Sequence, residues 1–171
     1  MRKAILRVQS EVDVPVEAAR DWFLSLEEHP GRYSFETHEG FSFEEGGFGE
    51  VGARFSTRER FFFLKLKLEF ELQRVRKRAF SFRLIRPSFL GIWGRFDLDG
   101  IDGKSCLSLE VGSETRVGQL MLRCYPVAVA IHRQIRCEVR HIARSMECVH
   151  GGRKSRSEDD SESARRSAHS I

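Results

Sequence analysis

Residues 64–73 alternate strictly between apolar and polar side chains. Leucine or phenylalanine occupies every even position, and lysine, glutamate or glutamine occupies every odd one. Because successive side chains of a strand point to opposite faces, this period predicts a long strand with one buried and one solvated face. A sheet built from such strands needs another element to cover its apolar face.

The same two-residue period recurs elsewhere in the chain. It is found in residues 4–13, 41–43, 51–56, 80–84, 92–98 and 107–111. The gaps between the later segments are short, so we expect sequential antiparallel hairpins. With the segment that starts at Phe62 and includes residues 64–73, the pattern predicts seven strands.

Helical spacing of apolar residues occurs near both ends of the chain. After Pro15 it predicts a helix of about three turns that ends before Pro30. A longer apolar stripe runs from Val117 to Val149 and predicts a long amphipathic C-terminal helix. Because the stripe keeps its phase through Pro126, we expect a kinked helix, although a new helix that starts at Pro126 also fits.

This order of elements predicts an α+β fold with one large antiparallel sheet and one long covering helix. A helix covers a stripe about 10 Å wide, whereas seven strands at about 4.8 Å spacing are roughly three times as wide. The sheet must therefore curl around the helix, or short helices must cover the remainder. Gly46, Gly47 and Gly94 supply places for bends. A curved sheet of this kind readily leaves a cavity beneath the helix.

Three segments carry a resemblance to a known superfamily. They are VDVPVEAARDWF after the first strand, LEEHPGRY where a second short helix is expected, and the glycine-rich hairpin EEGGFGEVGARF. Together with the amphipathic last helix, they resemble the helix-grip proteins of the START-related (SRPBCC) superfamily over about residues 4–149. Members of that superfamily include polyketide cyclases, lipid-transfer domains, coenzyme Q-binding proteins and plant hydrophobic-ligand binders.

The resemblance implies a helix-grip fold. A curved seven-stranded antiparallel sheet would wrap around a long C-terminal helix, with one or two short helices after the first strand. It also implies an apolar cavity between sheet and helix. The motifs that carry it are typical of the fold, and no catalytic motif of one branch is recognisable, so the occupant of the cavity stays open.

Composition divides the chain into a domain and a tail. Hydrophobic residues make up 40% and charged residues 32% of the 171 residues, which is typical of a globular protein and excludes disorder of the whole chain. After Gly151, arginine, serine, glutamate and aspartate dominate. We therefore expect a single domain over residues 1–150 and a disordered charged tail over residues 151–171.

No targeting segment or metal motif is recognisable. Arg7, Gln9 and Glu11 interrupt the apolar residues near the start, and no long uncharged apolar run occurs, so we expect an untargeted cytoplasmic protein without a transmembrane segment. The four cysteines have no CxxC or CxxH spacing, and the six histidines form neither HxxxH nor HExxH. We expect no metal site, no disulfide framework and no cofactor.

The inward positions of the strands and the apolar stripe of the last helix predict the wall of the cavity. Ser10 and Thr57 on inward strand faces, and Tyr33 and Tyr125 near strand or helix ends, could contact the polar end of a ligand. Backbone and water could satisfy them equally well. His29 and His38 flank the second short helix and could also bind a ligand, although histidines without a special role fit that position too. The predicted ligand-binding residues are Ser10, Thr57, Leu68, Phe70, Phe82, Phe96, Leu109, Tyr125, Ile131 and Ile135.

These patterns favour binding or transport of a hydrophobic small molecule or lipid over catalysis, because no catalytic residue is identifiable. A polyketide cyclase or dehydratase-like enzyme is the first alternative, and it needs a titratable group that points into the cavity. A protein-interaction module, similar to the chaperone cofactors that share this shape, is the second.

A row of arginines lies on one face of the last helix. Arg133, Arg136, Arg140 and Arg144 could contact a peripheral membrane surface or an acidic protein, although the pattern favours an ordinary solvated helix face. We expect no DNA binding. A single-strand nucleic-acid platform interleaves aromatic and basic residues on an exposed sheet face, and the strands lack that pattern.

Overall fold

A computed structural model describes residues 5–35, 38–61 and 64–168 of the chain, with side chains to Gly151 except at positions 61, 64 and 101. Seven strands alternate with short connections. They are β1 Leu6–Val12, β2 His38–Glu45, β3 Arg54–Phe61, β4 Leu64–Arg76, β5 Ala79–Arg86, β6 Ile92–Ile101 and β7 Lys104–Ser113. The helices are α1 Val16–Leu24, α2 Arg116–Arg123 and α3 Val127–Ala168, with 3-10 turns at Pro30–Tyr33 and Ser88–Leu90.

The strands form one antiparallel sheet in the order β1-β7-β6-β5-β4-β3-β2. Strands β2 to β7 follow one another as hairpins, and β1 pairs with β7, so that Val8 lies opposite Leu109. The seven-stranded antiparallel sheet expected from the alternation is confirmed. Phe62 lies outside the described residues.

The inner face of the sheet carries the hydrophobic core. Phe23 of α1 is fully buried, and its ring centroid lies 5.0 Å from those of both Phe80 and Phe96 and 5.5 Å from that of Phe48. Aromatic pairs at these distances add to the stabilisation from area burial alone. Helix α1 thus fixes one end of the inner face, where β5 and β6 meet the glycine-rich hairpin after β2.

Two helices replace the single kinked helix that we expected around Pro126. Helix α2 ends at Arg123, Cys124 has extended backbone angles, and α3 begins at Val127. A proline has no N–H to donate, and its ring clashes with the carbonyl oxygen four residues earlier in a continuous helix. The carbonyl of Pro126 instead accepts a hydrogen bond from the N–H of Ala130 at 3.1 Å and so belongs to the first turn of α3.

The close packing of α2 against Leu90 and Ser113 depends on Gly118. Thr115 caps the helix, since its Oγ1 accepts a hydrogen bond from the Gly118 N–H at 3.1 Å. A Cβ atom on Gly118 would lie 2.0 Å from the carbonyl oxygen of Leu90 and 2.2 Å from Oγ of Ser113. Only glycine fits here without moving α2 away from the turn that contains Leu90.

None of the described helices is long and apolar enough to cross a bilayer. Helix α3 extends to Ala168, and its side chains after Gly151 lie outside the described part of the chain. The division into a domain over residues 1–150 and a charged disordered tail over residues 151–171 stays a prediction.

Replacement of Gly118 by alanine should destabilise the protein. Overpacking against backbone costs about 1–3 kcal/mol, whereas a Gly→Ala change inside an unobstructed helix gains up to about 1 kcal/mol. Gly151→Ala in α3 is the matched control, because a Cβ atom there meets nothing within 4 Å. Urea unfolding of both variants measures the difference. Equal free energies of unfolding for the two variants would contradict the close packing of α2 at Gly118 against the Leu90 carbonyl oxygen.

Candidate functional site

A cavity of about 220 Å³ lies between the inner face of the sheet and helices α2 and α3. Strands β3 to β7 and the turn at Ser88–Leu90 supply most of its wall, and residues of α2 and α3 line the rest. The wall is largely aromatic and aliphatic. Its apolar residues are Phe48, Phe55, Leu66, Leu68, Phe70, Phe82, Leu84, Leu90, Ile92, Phe96, Leu109, Val111, Met121, Leu122, Val127, Ile131 and Ile135.

Four phenylalanines form a continuous aromatic floor across β3 to β6. The ring centroids of Phe55 and Phe70 are 5.2 Å apart, those of Phe70 and Phe82 are 5.4 Å apart, and those of Phe82 and Phe96 are 5.6 Å apart. Gly94 lies beside Phe82, and a Cβ atom there would be 2.2 Å from the ring. The missing side chain at Gly94 therefore leaves space for the Phe82 ring beside β6.

A polar cluster forms the opposite end of the cavity, under α3 at the edge made by β2 and β3. The Tyr33 hydroxyl donates a hydrogen bond to Oε1 of Glu138. Nδ1 of His38 lies 2.8 Å from Oε1 of Glu59, and Nε2 of Gln134 donates to Oε2 of the same carboxylate. Residues from four elements therefore meet here: the turn at Pro30–Tyr33, β2, β3 and α3.

Two polar side chains of the cavity wall, those of Thr57 and His38, have no hydrogen-bond partner among the described residues. Thr57, 3% exposed, lies on the inner face of β3 two residues before Glu59, and its Oγ1 has no hydrogen-bond partner among the described residues. His38, 1% exposed, makes a close contact to Glu59 that is too poorly aligned for a hydrogen bond, and its Nε2 has no partner in the described part of the chain. Buried polar atoms usually have partners, so this cluster retains hydrogen-bonding capacity.

Burial perturbs two groups of the cluster. Desolvation, with a smaller contribution from the Glu59 carboxylate, raises the pKa of Glu138 from its ordinary value of 4.5 to about 7, against the opposing influence of His38 and Tyr33. Desolvation and the neighbouring Glu138 also hold the pKa of Tyr33 well above its ordinary value. Near neutral pH the cavity therefore contains a neutral tyrosine and a carboxyl group that is poised to gain or lose a proton.

The ionisable residues of the cavity wall include two carboxyl groups but no described lysine or arginine. These residues are Tyr33, His38, Glu59 and Glu138. Within the described ranges, no group of three or more histidine, cysteine, aspartate or glutamate side chains has a geometry that could hold a metal ion. The arrangement is suited to hydrogen bonding and proton exchange at one end of an apolar chamber.

Eight of the ten residues predicted to bind a ligand line this cavity. They are Thr57, Leu68, Phe70, Phe82, Phe96, Leu109, Ile131 and Ile135. Ser10 lies outside the cavity, where its hydroxyl donates to the carbonyl oxygen of Glu11 at 3.3 Å. Tyr125 is 79% exposed in the link between α2 and α3 and does not line the cavity either. Whether any of the ten binds a ligand stays a prediction.

The carboxylates of the polar end escaped the sequence analysis, although the sequence contains a signal for each. Glu138 lies three residues after Ile135 and four before Ile142, in phase with the apolar stripe of α3. Glu59 shares the inward alternation of Phe55 and Thr57 in β3. A charged residue in a buried phase is rare unless it is paired or functional, so both positions were identifiable as candidates.

Five further candidate residues occupy exposed positions. His29 is exposed, and Arg133, Arg136, Arg140 and Arg144 all lie on the solvent side of α3. His38, which the sequence left undecided, is buried at the cavity. A contact of the arginine row with a membrane or protein stays a prediction.

Solved structures with the same architecture are numerous. The protein TTHA0849 from Thermus thermophilus matches with a TM-score of 0.69 and 12% identity over 84% of this chain and 97% of that one. Ginseng major latex-like protein 151 from Panax ginseng matches with a TM-score of 0.59 and 14% identity over 85% and 95%. The protein Ara h 8.0201 matches with a TM-score of 0.59 and 12% identity over 84% and 95%.

These matches establish a fold. The curved seven-stranded sheet with its long C-terminal helix is the helix-grip fold, so the resemblance to START-related proteins is confirmed at the level of architecture. No family model matches the sequence, and no curated protein matches it. At such low identity no residue role transfers from the neighbours, and the chemistry of the cavity must be argued from this chain alone.

Glu138→Gln should change how stability depends on pH. Because the folded state keeps the Glu138 proton up to about pH 7 and the unfolded state releases it near pH 4.5, the free energy of unfolding of the wild type falls over this window. The variant has no carboxyl group at position 138, so its free energy of unfolding does not decrease in this way. The difference in free energy of unfolding, variant minus wild type, should therefore rise by up to about 3 kcal/mol between about pH 5 and about pH 8. Urea unfolding at both pH values measures the change.

Glu147→Gln serves as its control. Glu147 lies on the same helix outside the cavity, and its Oε1 accepts a hydrogen bond from the backbone N–H of Asp13 at 2.9 Å, a role that glutamine preserves. A Glu138→Gln variant whose unfolding free energy kept the wild-type pH slope would show that this carboxyl group is not protonated in the folded protein.

Proposed function

We propose that this protein binds a small amphiphilic molecule in the cavity, with the apolar part against the phenylalanine floor and one polar group at the Tyr33–Glu138 end. The observation that carries this proposal is the composition of the wall, which is apolar except for one buried polar cluster. Pockets for small molecules commonly combine an apolar lining with a few polar groups that fix orientation. The START-related resemblance implies hydrophobic ligands in general.

The size of the cavity limits the ligand. Its volume of about 220 Å³ lies below the range of about 300–1,000 Å³ that drug-sized ligands occupy. Each apolar square ångström that the ligand removes from water contributes about 25 cal/mol, so a short alkyl chain or a small ring supplies useful affinity. A large lipid with two chains would require the helices to move.

Polar selectivity would come from the groups with free hydrogen-bonding capacity. The hydroxyl of Thr57 and the ring of His38 are buried, and neither has an aligned partner among the described residues. Leaving such atoms unpaired costs about 1–3 kcal/mol each, and a ligand that pairs them recovers that free energy. The free energy recovered by pairing these atoms supports a ligand with a polar end over a pure hydrocarbon.

A second candidate function is acid–base catalysis in the same cavity, as in a polyketide cyclase or dehydratase. The specific observation in its favour is Glu138, a carboxyl group at the cavity wall with a pKa of about 7. A general base works best when its pKa lies near the operating pH. In such a reaction the Glu138 carboxylate would take a proton from the carbon next to a carbonyl group, which leaves an enolate and a protonated Glu138.

Blocking the cavity should abolish binding of an apolar alcohol. Ile131 lines the cavity on α3, so Ile131→Trp fills part of the volume and should weaken octanol binding by at least about tenfold in titration calorimetry. Val129→Trp is the matched control on the same helix, because Val129 is 55% exposed and does not line the cavity. Native mass spectrometry of the purified protein should also find a small apolar adduct. Failure of the wild type to bind octanol, with no adduct, would refute the proposed function.

Exchange of ketone protons tests the catalytic candidate. The wild type should accelerate deuterium uptake by cyclohexanone in deuterated water, followed by nuclear magnetic resonance. The rate should increase with pH through about 7 as Glu138 ionises. Glu138→Gln should slow the exchange by about 100-fold or more, and Glu147→Gln should leave it unchanged. A wild-type rate equal to that of buffer would eliminate this candidate without affecting ligand binding.

A further inference from the structure

The signs of the charges at the cavity wall discriminate between classes of amphiphile. Two carboxyl groups, Glu59 and Glu138, face the cavity, together with one imidazole from His38. No described lysine or arginine lines it. A ligand carboxylate or phosphate would therefore lie near groups of its own sign in an apolar chamber, where charge repulsion is stronger than in water.

The two carboxyl groups differ in the partners that they already have. Glu59 lies against His38 and accepts a hydrogen bond from Gln134, so both of its oxygens are engaged. Glu138 accepts one hydrogen bond, from the Tyr33 hydroxyl. An ionised carboxylate has about four acceptor positions on its two oxygens, so Glu138 retains capacity for a donor that comes from the ligand.

Thr57 gives independent evidence for a ligand donor. Its Oγ1 atom is buried at the cavity wall and has no partner among the described residues, although a hydroxyl oxygen can accept hydrogen bonds. Together with Glu59 and Glu138, it makes the polar end rich in acceptors and poor in positive charge. A primary ammonium group has three N–H donors and one positive charge, which complements this set.

Given the proposed binding function, we propose that the cavity selects small amphiphilic amines, whose ammonium group contacts Glu138 and Thr57 while the apolar part lies against Phe82 and Phe96. The paired His38 and Glu59 stay in place beside it. Neutral alcohols of the same length bind more weakly, because they supply one donor and no charge. Carboxylates of the same length bind most weakly.

Proton release accompanies this binding. The titratable groups that face Glu138 are Tyr33 from the turn at Pro30–Tyr33, His38 from β2 and Glu59 from β3. An ammonium group next to Glu138 favours its ionised form and lowers its pKa from about 7. Below this pH the ligand must displace a proton, so amine affinity rises with pH, whereas alcohol affinity does not.

Three probes of equal chain length test the selectivity. Octylamine, octanol and octanoate are titrated calorimetrically into the full chain at about pH 8 and about pH 6, where an alkylamine stays protonated because amines of this kind have a pKa near 10. We expect octylamine to bind at least about tenfold more tightly than octanol at the higher pH, and octanoate to bind least. Octylamine affinity should decrease severalfold at the lower pH.

Two variants locate the effect. Glu138→Gln should remove the preference for octylamine over octanol and the pH dependence of octylamine binding. Glu147→Gln should keep the preference. The pH dependence of the wild type tests the proposal even if Glu138→Gln folds poorly.

The outcomes separate the two proposals. If octanol binds and octylamine binds no more tightly, or if octanoate binds best, amine selectivity is wrong and the proposed binding function stands. Retention of the amine preference in a folded Glu138→Gln variant also overturns the selectivity. If none of the three probes binds, amine selectivity is wrong; if native mass spectrometry of the purified protein also finds no apolar adduct, the proposed binding function fails as well.

Discussion

The width of the sheet relative to one helix governs this structure. Seven strands at about 4.8 Å spacing cannot be covered by a helix about 10 Å wide, and α3 packs mainly on β1 and β7 at one side. Helix α1 fills one end of the inner face through Phe23, and α2 closes another part because Gly118 allows a close approach. The cavity is the part of the inner face, over β3 to β7, that none of the three helices fills.

A contribution to the stability of the folded state poorly explains the polar end of that cavity. Hydrophobic residues of similar volume in place of buried charged groups are often neutral or stabilising, since desolvation opposes the attraction between the charges. Here Tyr33, His38, Glu59 and Glu138 converge from four separate elements, and Glu138 titrates far from its ordinary range. Perturbed carboxyl groups in clefts are concentrated at functional sites, which supports a role in recognition or proton transfer.

Sequence periodicity predicted the architecture and most of the apolar wall. The two-residue alternation identified the inward residues Leu68, Phe70 and Phe82 because sheet geometry alone sets which face they occupy. The meeting of His38 with Glu59 depends on the register between β2 and β3, which includes an irregularity after His38 that no local pattern specifies. The break at Pro126 was misjudged because the phase of the stripe says nothing about the missing N–H of proline.

In the proposed binding function, affinity and selectivity would have different origins. The phenylalanine floor provides a driving force that scales with apolar area and accepts any small apolar group, and such a floor says little about the identity of the ligand. The polar end distinguishes ligands, because an unmatched donor, acceptor or charge is expensive where water is scarce. Helix-grip neighbours at 12–14% identity share the architecture that creates the cavity. In the proposed binding function, selectivity would accordingly depend on Glu138, Thr57 and the other polar groups of the cavity wall rather than on the fold.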